Sequence, residues 1–222
     1  MKIPLTIHQV TLKSRQFKVI RPAAPPSRAV LLDQDRYLGA YLDQDAAYLI
    51  AGLWELAASS PRALIHLPMR SNPAPSHDLP GHGTRQLDLV LLHHSLQFAP
   101  SRWKDVRARL GTGRRRTVTL PGASRADADR DSPGVEARHY KENRDLFHQH
   151  LHAETLFMTG SAKVFRETAP RFRELGRRGP GFAPGHPGHS HCCTELHSTE
   201  GILGNAREMH IEYRDQWESR PR

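Results

Sequence analysis

The sequence has few of the features that identify a membrane, secreted or fibrous protein. Its 222 residues include only two cysteines, which are neighbours and therefore cannot build a disulfide framework. The longest nearly uncharged apolar run, Ala46 to Trp54, is far shorter than the roughly 18 residues of a membrane helix. No signal peptide precedes it, and glycine and proline show no collagen period. We therefore expect a soluble, cytoplasmic protein with no membrane partner.

Lysine is also scarce, with 6 residues against 26 arginines, an imbalance typical of a GC-rich bacterial genome. Basic residues nevertheless exceed acidic ones by nine across the chain. Both parts of the sequence are basic, with a net charge of +6 up to Leu110 and +3 from Gly111 onward. A surplus of this kind suits a nucleic acid or another anionic ligand as partner. The sequence does not indicate an oligomeric state.

Several common catalytic and binding motifs are missing. No glycine-rich phosphate loop follows a predicted strand, and no nucleophile elbow is present. The acidic pairs Asp33/Asp35 and Asp43/Asp45 lack the glycine and the terminal glutamate of an EF-hand loop. Function must therefore be sought in less common arrangements of side chains.

The first 110 residues predict an α+β domain. Ile3, Leu5 and Ile7 alternate with polar residues, and the pattern resumes after a polar tip at 13–16, as in a half-buried hairpin. Further strands are expected at 29–32, 63–67 and 86–92, and helices at 43–58 and 100–110. These elements predict a mixed antiparallel sheet with helices.

The remaining sequence predicts a linker or long loop at 111–134 and a smaller, mainly helical C-terminal unit at 135–222. Apart from a strand signal at 117–120, the linker is rich in arginine, glycine and proline. Three helices are expected beyond it: one starting at Ser132-Pro133 and running towards Phe157, one over 162–175 with a kink near Pro170, and one starting at Asn205. In the last, Met209, Tyr213 and Trp217 recur every fourth residue.

The segment 185–201 is unusually dense in residues that bind metals, with four histidines, two cysteines and two glutamates. In an extended chain, side chains alternate between two faces, so one face would carry five candidate ligands. These are His189, His191, Cys193, Glu195 and His197. Cys192 would point away from that face and is expected to be a small buried hydrophobe.

The identity of the ligands predicts a divalent transition metal. Two imidazoles and a carboxylate with open positions suit iron, manganese or zinc, whereas a cysteine thiolate favours zinc or copper. Zinc is the first expectation, with iron or manganese as alternatives. The alternative interpretation is a histidine-rich loop without a metal, produced by the base composition of the gene.

The run His189-Ser190-His191, followed by Glu195 and Gly201, resembles the first motif of the cupins. This resemblance implies a small β-barrel in which two histidines and a glutamate hold a metal. The order His191, Asn205 and His210 resembles the ββα-metal fold of the HNH nucleases. It implies a general-base histidine on a hairpin, a metal-binding histidine on the following helix, and a phosphodiester substrate.

Three other groups of residues are candidates, but each has a simpler structural explanation: a solvated helix face, an interior histidine or a solvated basic surface. His148 and His152, with Glu154 nearby, would share one face of a helix, and His93 and His94 follow an apolar strand. A basic edge that could contact phosphates is formed by Arg102, Lys104, Arg107, Arg109 and Arg114 to Arg116.

These observations lead to two functional hypotheses. The first is a metal-binding hydrolase, phosphodiesterase- or nuclease-like, that acts on an anionic substrate. The second is a non-catalytic basic protein that binds nucleic acid or another protein.

Overall fold

The structure, a computed structural model, describes residues 1–75, 84–120, 138–182 and 191–217. The first half contains β1 (Lys2–Leu12), β2 (Arg15–Pro22), β3 (Ala29–Gln34), β4 (Tyr37–Leu42), α1 (Gln44–Ser59), β5 (Ala63–Leu67), β6 (Arg85–Gln86), β7 (Asp88–His93) and α2 (Trp103–Ala108). The second half contains β8 (Arg114–Thr119), β9 (His148–His152), β10 (Thr155–Gly160), α3 (Ala162–Arg178), β11 (Cys193–Leu196) and β12 (Met209–Tyr213).

The strands form two mixed sheets, which confirms the predicted α+β class. The larger sheet has the order β8-β1-β2-β5-β7-β10-β9, and the smaller one has the order β11-β12-β4-β3-β6. Most neighbours are antiparallel, but β2 with β5, β7 with β10, and β4 with β12 run parallel. No helix in the described part of the chain has the length and hydropathy needed to span a membrane.

The predicted elements of the first half are present, and their local causes are visible. The β1–β2 hairpin turns at Lys13, whose φ of 56° lies in the left-handed region. α1 begins after Asp43, whose carboxylate accepts a hydrogen bond from the Ala46 N–H at 2.8 Å. Trp103 and Val106 on α2 are buried, as the sequence pattern predicts.

Two apolar layers lie on opposite faces of the larger sheet. One face joins α1, α3 and the smaller sheet in a single core, which includes Trp54 and Phe165. The other face packs against α2 through Trp103, Phe98 and Phe157. Side chains on this second face, near the end of α2, form a cleft described below.

Two of the predicted C-terminal helices are wrong. Residues 148–160 form the hairpin β9–β10 instead of a helix running towards Phe157. Ala153 and Glu154 make its turn with positive φ at both positions, a conformation normally indicated by Asn-Gly. The pair Ala-Glu carries no such signal, which explains the error. The predicted start at Ser132-Pro133 lies outside the described residues.

The predicted helix from Asn205 is also absent, because residues 209–213 form β12. Its central position between β4 and β11 supplies backbone hydrogen bonds on both edges, which outweigh the local helical pattern. Asn205 and Glu208 do not cap a helix: the Asn205 side chain contacts His148, and Glu208 accepts hydrogen bonds from Ser198.

The C-terminal segment is therefore less helical than predicted, since β9 to β12 accompany α3. α3 itself is confirmed and continues through Pro170 without interruption. The predicted linker 111–134 itself contains β8, which pairs with β1. Strands from both sides of this segment share each sheet, because β10 pairs with β7 and β12 pairs with β4. A boundary at Leu110 would separate strands of the same sheet.

Candidate functional site

Two neighbouring strands bring the metal-ligand candidates together. β11 is an edge strand and pairs antiparallel with β12, so that Cys193 lies opposite Glu212 and Glu195 lies opposite His210. Directly opposed residues of an antiparallel pair project to the same face. Cys193 and Glu195 are exposed and Leu196 is buried, as expected of a strand with one solvated face.

Three side chains on this face form a group of suitable size for one metal ion. The ligand atoms of His191, Cys193 and His210 all lie within 4.8 Å of one another. The imidazole rings of His191 and His210 are nearly perpendicular, with centroids 5.4 Å apart. We call these three residues the His/Cys cluster.

Carboxylates surround the cluster. Glu195 Oε1 is 2.9 Å from His210 Nδ1, and Glu212 Oε2 is 3.8 Å from His210 Nε2. The Glu212 carboxylate raises the pKa of His210; burial opposes this shift and Glu195 reinforces it. Burial, together with Glu195 and Glu212, raises the pKa of the Cys193 thiol. Two carboxylates therefore lie next to the cluster, and one of them, Glu212, is also paired with Arg214 at 2.8 Å.

The five sequence candidates have different positions. His191 and Cys193 belong to the cluster, and Glu195 contacts it through His210. His197 lies beyond β11, where its ring contacts Thr199 and its Nε2 is 3.1 Å from Glu208 Oε1. His189 lies outside the described residues.

Three further predictions for this segment have clear outcomes. Cys192 is buried in the main core, which confirms the prediction for that residue. The resemblance to HNH nucleases predicts His210 on a helix, but this residue lies on β12, so His191, Asn205 and His210 do not form a ββα arrangement. The barrel of a cupin is also absent, because within the described ranges the two sheets end at distinct edge strands.

Cavities border the cluster on two sides. One of about 280 Å³ is lined by Tyr37, Glu195, Glu208, Met209 and His210. Another of about 290 Å³ lies between β11 and α3, where Cys193 shares the lining with Arg171 and Arg178. Arg171 is already paired with Glu200. A small molecule could therefore approach the cluster from an acidic side or from a side with arginines.

The other histidine groups do not form a comparable cluster in the described part of the chain. His148 and His152 lie on β9 rather than on a helix, and His148 Nδ1 is 2.9 Å from Asn205 Oδ1. His93 follows the apolar run of β7 and contacts Ser95 through Nδ1 at 2.8 Å. These contacts fit structural roles.

A second arrangement, missed by the sequence analysis, occupies a cleft of about 620 Å³ on the α2 face of the larger sheet. Its titratable side chains are Arg21, His66, Arg70, Asp88 and Arg107. We call it the arginine cleft. Arg21 and His66 come directly after the paired residues Ile20 and Ile65 of β2 and β5, and Asp88 begins β7.

Asp88 is the centre of the arginine cleft. It is only 3% exposed, and its Oδ1 accepts hydrogen bonds from the backbone N–H groups of Met69 and Arg70 at 3.0 and 3.1 Å. Its Oδ2 faces His66, Arg70 and Arg107 at 3.5, 3.7 and 3.6 Å. Burial favours a higher pKa for Asp88, but the contacts with His66, Arg70 and Met69 outweigh it and lower the pKa.

His66 is also buried, and its ring packs edge-on against Trp103 with centroids 4.8 Å apart. Neither ring nitrogen has a hydrogen-bond partner among the described residues. Burial lowers the pKa of His66, the Asp88 carboxylate opposes this shift, and Arg21 and Arg107 reinforce it. His66 is therefore neutral near pH 7.

A signal for this cleft exists in the sequence but is weak. His66 and Asp88 are single polar residues next to otherwise apolar strand residues, and buried polar residues require partners. The partners come from distant positions, so the sequence alone does not show that they meet.

No family model, curated protein or solved structure significantly matches this chain, and its function must be inferred from these two arrangements of side chains.

Proposed function

We propose that this protein is a metal-binding hydrolase that holds zinc in the His/Cys cluster. The observation that carries this proposal is the spacing of the three ligand atoms, which all lie within 4.8 Å of one another. Two imidazoles and one thiolate are ligands that zinc prefers. Iron and manganese, which prefer more oxygen ligands, fit this set less well.

The surroundings of the cluster support the same proposal. The contact between Glu195 and His210 Nδ1 is the carboxylate–histidine pair that orients metal-binding imidazoles. The raised pKa of the Cys193 thiol means that the thiol is protonated without a cation nearby. A metal ion would stabilise the thiolate and offset the repulsion from Glu195 and Glu212.

The number of protein ligands supports hydrolysis. Three ligands leave the fourth position of a tetrahedral zinc ion for water, whose pKa the metal lowers towards neutrality. The cluster is accessible, because Cys193 is exposed and cavities lie on either side of it. An anionic substrate would enter from the side of Arg171 and Arg178, where Glu174 is the one carboxylate of the lining, since Glu195 and Glu208 line the other cavity.

Metal binding is tested with the metal alone. Untagged protein is stripped with a chelator and titrated with Zn²⁺, and with Co²⁺, whose thiolate charge-transfer absorption reports a cysteine ligand. We expect one equivalent to bind. Cys193→Ala and His210→Ala should each weaken zinc binding by more than about 100-fold, since losing an outer-shell partner alone costs roughly 10- to 100-fold.

Matched controls come from the same segment. Cys192→Ala removes the adjacent, buried thiol, and His197→Ala removes a histidine that contacts Thr199 and Glu208 instead. Both variants should retain zinc binding and the cobalt absorption. Stoichiometric binding that survives Cys193→Ala would contradict the proposed ligand set.

Hydrolysis is tested with bis(p-nitrophenyl) phosphate, a phosphodiester probe. We expect turnover by the zinc-loaded protein and none by the stripped protein or by metal-treated Cys193→Ala. If the zinc-loaded protein binds metal but does not cleave the probe, the metal site stands and the phosphodiesterase assignment is wrong.

The second candidate function is nucleic-acid binding, and one observation favours it. Arg114, Arg115 and Arg116 are exposed on β8, an edge strand of the larger sheet. None of them has an ion pair within 4.0 Å in the described ranges, so their charges are available for phosphates.

This candidate is tested by binding to mixed-sequence DNA over a range of salt concentrations. Replacing all three β8 arginines with glutamine should reduce the slope of log affinity against log salt by about 0.9 for each phosphate that the protein no longer neutralises. The matched control changes Arg15, Arg36 and Arg62 to glutamine, which removes the same charge from exposed positions elsewhere. Equal weakening by both triple variants would exclude a specific role for β8.

A further inference from the structure

We infer that the arginine cleft is a second ligand site, separate from the His/Cys cluster, which binds the phosphate group of a small organic phosphate. Arg21, Arg70 and Arg107 would contact the phosphate. The bound dianion would favour protonation of His66, which would then donate to the phosphate through Nδ1 while Nε2 faces Asp88. Asp88 is the positioning residue that holds the arginines and His66 around the cleft.

The charges of the cleft favour a dianion. Three guanidinium groups face one carboxylate, Asp88, and His66 is neutral, so the lining residues carry a net charge of +2, or +1 when Glu154, the partner of Arg70, is included. A phosphate monoester carries a charge near −2 at neutral pH. Glu154 pairs with Arg70 at 2.5 Å from outside the lining, but it is largely exposed and its charge is screened by water.

The arginines have unused hydrogen-bonding capacity. Arg21 is half-buried and has no ion pair within 4.0 Å among the described residues, and burial lowers the pKa of its guanidinium. Arg70 and Arg107 approach Asp88 at 3.7 and 3.6 Å, longer than the roughly 2.7–2.9 Å of a charge-assisted hydrogen bond. Each also donates through Nη1, to Glu154 and to the Ala153 carbonyl respectively, which leaves further N–H groups for a ligand. Guanidinium groups recognise phosphate oxygens through paired N–H donors.

His66 is an independent indication of a ligand. Its side chain is 3% exposed and lines the cleft. Nε2 faces Asp88 Oδ2 at a long 3.5 Å, and Nδ1 has no hydrogen-bond partner in the described part of the chain. A buried polar group without a partner is destabilising, and such groups often mark a site for a ligand or ion. A phosphate oxygen would provide the acceptor.

The size and remaining lining of the cleft indicate more than a free phosphate ion. A volume of about 620 Å³ lies in the range typical of small-molecule sites, roughly 300–1,000 Å³. The apolar wall consists of Pro25, Pro26, Pro68, Met69 and Leu110. This wall is suited to the organic part of the ligand, with the arginines at the phosphate end.

Phenyl phosphate is the probe for this site. Its binding is measured by calorimetry and by NMR of histidine-labelled protein. The His66 resonance is assigned by its loss in His66→Gln. We expect saturable binding tighter than about 1 mM, accompanied by a shift of the His66 resonance. Stripped Cys193→Ala protein should bind the probe equally well, which separates this site from the proposed metal function.

Arg21→Gln is the main variant, because Arg21 has no ion pair within the described residues whose loss would disturb the fold. It should weaken phenyl phosphate binding about 10- to 100-fold, the effect of removing a charge-assisted hydrogen bond. Arg109→Gln is the matched control, since Arg109 is exposed near α2 and borders a different cavity. It should leave binding unchanged.

Three results would overturn the inference. They are the absence of saturable binding at millimolar phenyl phosphate, binding that leaves the His66 resonance unshifted, and equal weakening by Arg21→Gln and Arg109→Gln. Benzoate is the comparison for ligand class, because it replaces the phosphate dianion with a carboxylate. Equal affinity for benzoate would contradict a phosphate site.

Discussion

The His/Cys cluster and the arginine cleft both gather titratable side chains, but the protein holds them differently. The cluster lies on the solvated face of an edge strand, where Cys193 and the neighbouring Glu195 are exposed. The cleft is organised around Asp88, which is almost completely buried and fixed by two backbone N–H groups. Substitutions in the cluster should therefore alter ligand binding with only a small change in stability, whereas loss of the buried Asp88 carboxylate should lower stability strongly.

The largest difference is expected for Asp88→Ala. Removing this carboxylate leaves the N–H groups of Met69 and Arg70 without an acceptor, and His66 without the carboxylate that faces it. The free energy of unfolding should fall by about 3–5 kcal/mol, as for a broken buried ion pair. Denaturant unfolding measures this change. Asp215→Ala, at an exposed position, is the control and should change it by less than about 0.5 kcal/mol.

The adjacent cysteines test the same contrast within one segment. In metal-free protein, Cys192→Ser places a hydroxyl in the main core and should lower the free energy of unfolding by about 1–3 kcal/mol. Cys193→Ser, on the exposed face, should change it by less than about 0.5 kcal/mol. Thermal or denaturant unfolding with a chelator present distinguishes them. A larger loss of stability in Cys193→Ser than in Cys192→Ser would mean that Cys193, and not Cys192, faces the core.

Glu195→Gln tests whether the carboxylate that contacts His210 supports metal binding by that histidine. The amide can still contact His210 but lacks the charge of the carboxylate that is 2.9 Å from Nδ1. Zinc affinity should fall by roughly 10- to 100-fold, with little change in stability. Competition with a chromogenic chelator measures the affinity. Unchanged affinity would show that Glu195 does not support the metal ligand.

The smallest expected effect is a difference in pH dependence. The pKa of His66 is lowered in the folded state, so its contribution reduces stability as pH falls below the ordinary value of 6.5. The pKa of His210 is raised, so its stabilising contribution is complete below 6.5 and is lost as pH rises through the raised value.

Unfolding of the metal-free protein from pH 5 to 8 separates these contributions. His66→Gln should reduce the fall in the free energy of unfolding on the acidic side, and His210→Gln should reduce the fall on the basic side. His8 and His93 also have lowered pKa values, so part of the acidic decline should remain in His66→Gln. A steeper acidic decline in that variant would contradict the assignment.

Sequence patterns identify the elements whose signals are local. The β1–β2 hairpin, α1 after Asp43 and α3 follow from alternation, capping and helical spacing. The hairpin β9–β10 escapes prediction because Ala153 and Glu154 adopt positive φ without the residues that normally indicate it. β12 escapes prediction because Met209 and Tyr213 fit both a four-residue and a two-residue period, and only pairing with β4 decides between them.

The same reasoning applies to the sites. Two members of the His/Cys cluster lie two residues apart and are predicted as ligands from alternation, whereas His210 joins through strand pairing. The arginine cleft depends on residues from β2, β5, β7 and α2 that are distant in sequence. Side chains that meet only through tertiary packing leave no periodic signal.

The parallel pairing of β4 with β12 also determines when the smaller sheet can be completed. Near this pairing, the ion pair between Asp33 and Arg207 joins residues 174 positions apart. During synthesis, the apolar edge of β4 stays unpaired until β12 has emerged from the ribosome. Unpaired edges of this kind pair readily with other chains. His210 lies on β12 and is therefore synthesised after the other two members of the cluster. The His/Cys cluster therefore forms only when β12 has paired, so the proposed metal binding would depend on completion of the smaller sheet.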